Sequence, residues 1–360
     1  MPDSPDPFTA GAPVPREVLR AETNDVRPFA RLLRGIGLKH NAVMSISEAG
    51  FEVAVEEVRT LGAIAFIPTN LFTSWTFHPP SEPAIFELSL DALLQCLNIF
   101  GNAGSSGAGA GSQTSIGRTR RRWAGEGEDG IDDDDAANGR GAGKGKRTGM
   151  VMSWEGHGEP LRMTLHDEGK GPITTCELNT YVPEELMNQA FDHDQRVLYL
   201  IMKSEWFRDA LLDLPPTSTR ITLVATPATN DAPDQAQGGS ATVSSNNRRA
   251  NRTKVGSFSI QAEGDFGSTE LDYPNDKDVM DRFECTDGAV RFSYHSSHFA
   301  LLSRALHQSI KIALMVENSG FLCVQIMMPV GDKVGLGEHQ GILEFKMHAL
   351  EEIDGDEDDG

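Results

Sequence analysis

The chain has 360 residues, of which 39 % are hydrophobic and 24 % charged, which is ordinary for a globular protein and enough for two domains. Its net charge of −21 would argue against nucleic-acid binding, but segments 126–135 and 351–360 each hold seven acidic residues and no basic one. Without those two runs the net charge is −7, so the remainder is only mildly acidic. Such runs are typical of solvated loops and tails.

The cysteines and the absence of long apolar runs indicate the compartment. The four cysteines are far apart and form no Cys-x-x-Cys pair: Cys96, Cys176, Cys285 and Cys323. This spacing predicts reduced thiols and a reducing compartment such as the nucleus or cytosol. No run of 18 apolar residues is present, so no membrane span is expected, and the first ten residues do not resemble a signal peptide.

The first elements in chain order are a strand and a helix. After residues 1–15, which we expect to be disordered, a strand-like segment at 16–22 leads to Thr23 and Asn24, both good helix N-caps. The spacing of the apolar residues predicts a helix whose buried face is formed by Val26, Phe29, Leu33 and Ile36.

A second strand and helix follow in the first half. Ile85–Leu90 has a strand pattern, and Asp91 is a suitable N-cap for a helix that reaches Phe100. Residues 101–149 are dominated by Gly, Ser and charged residues, which predicts a disordered insert. A hairpin is then expected from Leu161–Leu165 and Ile173–Thr180.

The second half repeats this order after a connector at 182–193. The strand Arg196–Lys203, Ser204 and a helix containing Phe207, Ala210, Leu211 and Leu214 match the first strand and helix at an offset of 181. The strand Val290–His295 and the helix Phe299–Gln308 match the second pair at an offset of 206. A second disordered insert predicted at 229–255 accounts for this difference of 25.

The repeat ends with a hairpin, Ile310–Val316 and Phe321–Pro329, and a final strand, Ile342–Leu350, before the acidic tail 351–360. The sequence therefore predicts an α+β protein with two similar domains, 16–181 and 194–350. Each domain is expected to pack two helices on antiparallel sheets.

Three segments carry a resemblance to a known family: Phe86–Gly101 (FELSLDALLQCLNIFG), Ser268–Cys285 with its Leu-Asp-Tyr-Pro element at Leu271–Pro274, and Ser319–Pro329. The order of elements is similar to that of the PCNA sliding clamp. The chain more closely resembles the Rad-one/Rec-one family, a subunit of the heterotrimeric checkpoint clamp known as the nine-one-one complex. The resemblance covers most of 16–350 except the two inserts.

The resemblance implies that the helices line a channel around DNA. On the first helix Arg27, Arg31 and Arg34 recur at i, i+4 and i+7, and Lys39 follows, with no acidic residue from Val26 to Lys39. Such cations would contact phosphates independently of base sequence. The other helices are expected to add Lys203, Arg208 and Arg304. Without the resemblance, a solvated amphipathic helix explains the spacing equally well.

Ring assembly and partner docking also follow from the resemblance. The expected subunit edges are the strands 173–180 and 257–262, represented by Ile173, Cys176, Leu178, Phe258 and Ile260. Internal strands are the alternative. Met187 and Phe191 in the connector are candidates for docking client peptides, against the alternative that they pack on the sheet.

Enzymatic alternatives have little support in the sequence. The family has carried a 3′–5′ exonuclease label, but the Asp-x-Glu signature that begins many such metal sites does not occur. No Gly-x-x-x-x-Gly-Lys-Ser/Thr loop is present either, so ring opening would need an external ATP-dependent loader. The basic clusters 118–122 and 144–147 fit nuclear-import signals, a tethered nucleic-acid-binding arm or a charge-balanced linker.

The sequence thus favours a non-enzymatic subunit of a heterotrimeric DNA clamp in the nucleus, with no cofactor, no metal and no membrane association. The resemblance implies Rad-nine-like and Hus-one-like subunits, an ATP-dependent clamp loader, double-stranded DNA, and checkpoint and repair proteins as partners. A 3′–5′ exonuclease acting in repair and a homotrimeric replicative clamp are the alternatives.

Overall fold

The computed structural model describes residues 17–101, 103, 147–167, 171–187, 190–228, 256–265, 267–286, 288–329 and 340–351. The segments predicted to be disordered at 1–15 and 229–255, nearly all of the predicted insert 101–149, and the tail beyond Glu351 lie outside these residues. The end of the first insert was placed too late, because Thr148 and Gly149 already belong to a strand.

Within the described residues, the first half contains nine strands and two helices. In chain order they are β1 (Leu19–Thr23), α1 (Arg27–Gly35), β2 (Asn41–Ser47), β3 (Gly50–Glu57), β4 (Leu61–Pro68), β5 (Ser74–Phe77), β6 (Ile85–Ser89), α2 (Leu90–Leu97), β7 (Thr148–Trp154), β8 (Leu161–Asp167) and β9 (Ile173–Leu178). Single-turn 3₁₀ helices lie at Thr69–Leu71 and His193–Gln195.

The second half has the same order. Its elements are β10 (Arg196–Lys203), α3 (Ser204–Asp213), β11 (Arg220–Thr226), β12 (Ser257–Gly264), β13 (Gly267–Pro274), β14 (Met280–Cys285), β15 (Val290–His295), α4 (Ser296–Leu306), β16 (Lys311–Glu317), β17 (Leu322–Pro329) and β18 (Gln340–Met347). Both predicted hairpins, β8–β9 and β16–β17, are confirmed.

The strand pairing repeats along with the order. Strand β1 pairs with β5 and β7, and β10 pairs with β14 and β16. Strand β2 pairs with β3 and β6, and β11 pairs with β12 and β15. The hairpins β3–β4 and β12–β13 correspond, as do the meanders β7–β8–β9 and β16–β17–β18. Each strand of the first half thus has a counterpart nine strands later.

The two halves join through one strand pair that has no repeat within the described residues. Strand β18 pairs with β4, which combines five strands of the second half and four of the first into a nine-stranded sheet, β14-β10-β16-β17-β18-β4-β3-β2-β6. The remaining five strands of the first half form the sheet β5-β1-β7-β8-β9, and the remaining four of the second half form β13-β12-β11-β15.

The four helices form a continuous row in the order α2–α1–α4–α3. Helix α1 contacts α2 on one side and α4 on the other, and α4 contacts α3. The two central helices pack on the strand pair that joins the halves, since α1 contacts β4 and β18 and α4 contacts β17 and β18. Phe29, Leu33, Phe299 and Leu302 are among the side chains they bury in one hydrophobic core that runs through both halves.

The helix ends differ from the sequence expectation. Helix α1 begins at Arg27 and is not capped by Thr23 or Asn24, because the Asp25 carboxylate accepts the hydrogen bond from the Arg27 backbone N–H. Helix α2 is shorter than predicted, and Ser89 rather than Asp91 caps it by accepting from the Ala92 N–H. The cap expected at Ser204 was also wrong, since Ser204 is the first residue of α3.

Candidate nucleic-acid interface

The cations of α1 lie on the side of the helix away from the core. Phe29 and Leu33 are buried, whereas Arg27, Arg31 and Arg34 are only partly buried. Arg27 is nonetheless compensated, because its Nε lies 2.9 Å and its Nη2 2.6 Å from the Asp25 carboxylate oxygens. The predicted stripe of three available cations is therefore reduced to two.

Arg31, Arg34 and Arg304 form a cationic cluster at the centre of the helix row. Arg31 donates from Nη1 to the Pro329 carbonyl oxygen at 2.8 Å. Burial lowers the pKa of Arg34, and the nearby positive charges of Arg304 and Arg31 lower it further. No carboxylate of the described chain forms an ion pair with any of these three guanidinium groups. Guanidinium groups are cationic in proteins, so a cluster of three favours an external anion.

The other predicted DNA-facing cations, Lys39, Lys203 and Arg208, lie outside this cluster. Lys39 is exposed just beyond Gly37, and Gly37 itself lies against the Arg304 guanidinium. On α3, Arg208 is bound by the adjacent Asp209 at 2.8 Å. Lys203, the last residue of β10, lies 4.0 Å from Glu205, so both of these cations have a carboxylate nearby.

The flanking helices are acidic where the central ones are basic. Glu205, Asp209 and Asp213 recur along the exposed face of α3 at i, i+4 and i+8. Helix α2 carries Asp91, which contacts the His40 ring, and no basic residue. The acidic row on α3 was not predicted, although the four-residue spacing of its carboxylates is visible in the sequence.

The two predicted subunit edges have different outcomes. Strand β9 is an edge strand, with Ile173 71 % exposed and Cys176 and Leu178 partly buried. The expectation for 257–262 was wrong, because β12 lies between β11 and β13 and its Phe258 and Ile260 are fully buried. The edge strands of that sheet are β13 and β15. Strand β13 contains the Leu-Asp-Tyr-Pro element, and its position at an edge was not predicted from the sequence.

The two connector residues are placed differently. Phe191 stacks on Phe321 with ring centroids 6.4 Å apart, which favours the packing alternative for this side chain. Met187 is 59 % exposed, and its backbone N–H donates to the Glu56 carboxylate. It lines a shallow groove together with Leu186, Phe321 and His348.

Metal-binding clusters and membrane-spanning helices are both missing from the described residues. Nowhere in that part of the chain do three His, Cys, Asp or Glu side chains come together in a way that could hold a metal ion. None of the four helices is long and apolar enough to cross a membrane.

Comparison with known proteins identifies the family. The sequence profile described as Repair protein Rad1/Rec1/Rad17 matches residues 18–328. The human "Cell cycle checkpoint protein RAD1" is 27 % identical over 310 residues, which covers 86 % of either chain. "DNA damage checkpoint control protein rad1" of Schizosaccharomyces pombe is 25 % identical over 315 residues, covering 86 % of this chain and 81 % of its own.

A third relative bears an enzyme's name. "DNA repair exonuclease REC1" of Mycosarcoma maydis is 23 % identical over 413 aligned residues, covering 86 % of this chain and 88 % of its own. All three relatives are matched over nearly the same share of this chain, and the profile match spans both halves of the fold. This chain therefore belongs to the Rad1/Rec1/Rad17 repair protein family.

Proposed function

We propose that this chain is one subunit of a heterotrimeric DNA sliding clamp that encircles DNA at damage sites and acts as a scaffold for checkpoint signalling and repair. Its two repeated halves, 16–181 and 194–350, are the clamp domains. The names of its human and fission-yeast relatives refer to the cell-cycle and DNA-damage checkpoints, and its repeated strand order suits a ring segment.

The observation that carries this proposal is the cluster of Arg31, Arg34 and Arg304. Among the described residues these three cations have no carboxylate partner, and they lie together on the exposed side of the two central helices, which suits a phosphate backbone. They sit on helices, and contacts to phosphates carry no base information, so they hold DNA without fixing its sequence. A sliding clamp needs this type of contact.

The ring closes through the edge strands β9 and β13 of neighbouring subunits. Strand β4 pairs with β18 inside the chain, whereas their counterparts β13 and β9 are edge strands within the described residues. Pairing β13 of one subunit with the β9-like strand of the next would rebuild a nine-stranded sheet at each subunit boundary. Repeating this head-to-tail contact closes a ring if the rotation permits.

The remaining partners follow from the same proposal. The other two subunits are Rad-nine-like and Hus-one-like chains, and an ATP-dependent loader opens the ring. The groove beside Met187 accepts a client peptide from a checkpoint or repair protein. The site of action is the nucleus.

A topological experiment tests the proposal. The full chain, assembled with its two partner subunits, is placed by the loader and ATP on a nicked circular DNA and washed with high salt. We expect the complex to stay bound to the circle and to be lost once a restriction enzyme linearises it. Equal loss from circular and linear DNA would contradict encirclement.

The enzyme name of the Mycosarcoma maydis relative supports one alternative, a 3′–5′ exonuclease. A labelled DNA strand incubated with the purified chain and Mg²⁺ or Mn²⁺ separates the two functions. Shortening from the 3′ end that disappears when a particular carboxylate is replaced would favour the nuclease. A third alternative, the homotrimeric clamp, requires the purified chain to form trimers by itself.

A further inference from the structure

The edge strands β13 and β9, whose counterparts β4 and β18 pair with each other, carry charges that bear on which chain can pair with them, an inference that rests on the proposed ring. On β13, Glu270 and Asp272 point away from the core, while Leu271 and Tyr273 are partly buried and pack against it. On β9, Glu177 is the outward charge. Neither edge strand contains a basic residue.

The internal junction shows which residues face each other across such an edge. Strands β18 and β4 are antiparallel, with Glu344 opposite Ile64 and Leu343 opposite Ala65. Strand β4 has no charged side chain, and Glu344 is paired with Lys346 at 2.9 Å on its own strand. No like charges meet at this junction.

The hairpin β12–β13 can be aligned with β3–β4 through its strand partners. Pro68 pairs with Gly50, the first residue of β3, and Pro274 pairs with Ser257, the first residue of β12. Counting four residues back from each proline places Glu270 at the position of Ile64. The burial pattern agrees, because Leu271 and Ala65 both face inward.

The same procedure aligns β9 with β18. From Glu22 the partners run through Val151 and Thr164 to Thr175. The corresponding path in the second half begins at Lys203 and runs through Lys311 and Met327 to Ile342. Glu177 therefore occupies the position of Glu344.

If a second copy of this chain docked its β9 on β13 in the register of the internal junction, Glu177 would stand directly opposite Glu270. Directly opposed like charges destabilise a strand pair. The Arg162 guanidinium weakens this repulsion without removing it, because it lies 3.0 Å from Glu177 and 3.5 Å from Glu155 and cannot neutralise both carboxylates. The polar partners of Glu270, Gln261 and Ser259, are neutral.

The helix beside β13 reinforces the same preference. The Tyr273 hydroxyl donates to the Trp206 carbonyl oxygen, so α3 lies alongside this edge. The α3 residues next to it include the exposed Trp206 and the acidic Asp209 and Asp213. A partner that covers this surface must offer apolar contacts and positive charge.

We propose that Glu270 and Glu177 form a like-charge pair that excludes a second copy of this chain, and that the partner strand pairing with β13 carries a Lys or Arg opposite Glu270. The charge on the edge thereby selects a different chain as neighbour. In this register one residue on each edge strand determines the choice of partner: Glu270 on β13 and Glu177 on β9.

Charge reversal in the purified full chain tests the proposal. E270K places a cation opposite Glu177 of a second copy, so we expect self-association to strengthen about tenfold at low salt and to weaken again as salt is added. Sedimentation velocity over a concentration series measures this. The double variant E270K/E177K opposes two lysines and is expected to return to the weak self-association of the original chain.

Two further variants serve as controls. E177K, which changes the other edge, is expected to promote self-association to a similar extent, so a misfolded E270K would not leave the question open. E48K makes the same charge change in the exposed turn between β2 and β3 and is expected to change nothing. The proposal would be overturned if both single variants remained monomeric while circular dichroism showed that they are folded. Retention of the assembled complex on circular DNA tests the proposed function separately and does not depend on this result.

Discussion

The middle of this chain and its β13 end share the same arrangement of strands and helices but differ in charge. In the middle, the uncharged strand β4 pairs with β18 beneath the basic helices α1 and α4. At one end, the counterpart strand β13 carries Glu270 and Asp272 beside the acidic helix α3. A junction inside one chain always meets the same partner and can be apolar, whereas a junction between chains must discriminate between partners, and charge provides that discrimination.

The largest expected effect concerns the closed junction. Leu343 is fully buried and lies against Gly35 of α1. We expect Leu343→Ala to lower the free energy of unfolding by about 3 kcal/mol, because it leaves a cavity beneath the two central helices. Urea denaturation followed by circular dichroism measures the loss.

Leu178→Ala makes the same change on the open edge strand β9. Leu178 is only partly buried there, so we expect a loss of about 1 kcal/mol or less in the isolated chain. Equal losses for the two variants would mean that β9 is as well covered as β18 and that the contrast between middle and end is mistaken.

Reversing the cationic cluster is the next largest change. The triple variant R31E/R34E/R304E removes the three phosphate contacts proposed for this cluster and adds repulsion, so we expect the affinity of the assembled complex for duplex DNA to fall about 100-fold at low salt. Fluorescence anisotropy with a labelled duplex measures it. The slope of affinity against salt concentration should also decrease, because fewer counterions are released.

The control reverses three exposed cations that lie off the helix row. R20E/R59E/K277E makes the same total change in net charge on β1 and on two turns. We expect less than about a threefold loss of affinity, since these positions act only through the overall field of the protein. A loss as large as that of the cluster variant would show that net charge, and not the helix row, attracts DNA.

A smaller effect is expected when the acidic row of α3 is neutralised. E205Q/D209N/D213N removes three negative charges from a helix next to the cluster, and we expect a gain of about threefold in DNA affinity at low salt. The same anisotropy titration measures it, and the gain should vanish at high salt. An unchanged affinity at every salt concentration would place α3 away from the DNA.

The smallest expected effect is a pH dependence at the contact between α4 and the first half. His298 is 8 % exposed, and its Nε2 lies 3.3 Å from the Thr60 hydroxyl. Burial lowers the pKa of His298, and the neighbouring His295 lowers it further. As the pH falls, the unfolded chain takes up a proton before the folded chain does, so stability is complete above the pKa of the unfolded histidine, about 6.5, and declines below it.

We expect that decline to amount to at most about 1 kcal/mol between pH 7 and pH 5.5. His298→Gln preserves a hydrogen-bonding side chain and should reduce the pH dependence, as measured by thermal unfolding at a series of pH values. His40→Gln, at an exposed position, is the comparison variant. An undiminished pH dependence in His298→Gln would assign it to other groups.

Local patterns in the sequence were sufficient for most elements of the fold. The apolar spacing of Phe29 and Leu33 predicted α1, and the two offsets of 181 and 206 predicted the repeated order of strands and helices. These features depend on neighbours in the chain, which the sequence displays directly. Helix ends were less accurate, because capping by Asp25 and Ser89 is decided by a single backbone contact.

The candidate site depended on contacts that are distant in sequence. Arg34 and Arg304 are 270 positions apart, and only the packing of α1 on α4 brings them together. The sequence shows Asp25 two residues before Arg27, but only the structure shows that its carboxylate binds the Arg27 guanidinium. The family resemblance implied that β12 is an edge strand, and only its pairing with both β11 and β13 shows that it is internal.

The pairing of β4 with β18 also has a consequence during synthesis. Strand β4 has an uncharged edge that is covered by the last strand of the described chain, so it stays open until the ribosome has passed Gln340. At about 5–20 residues per second, the interval from Pro68 is roughly 15–55 s. A nascent chain therefore displays an aggregation-prone strand for most of its translation, and one terminated before Gln340 would display it permanently.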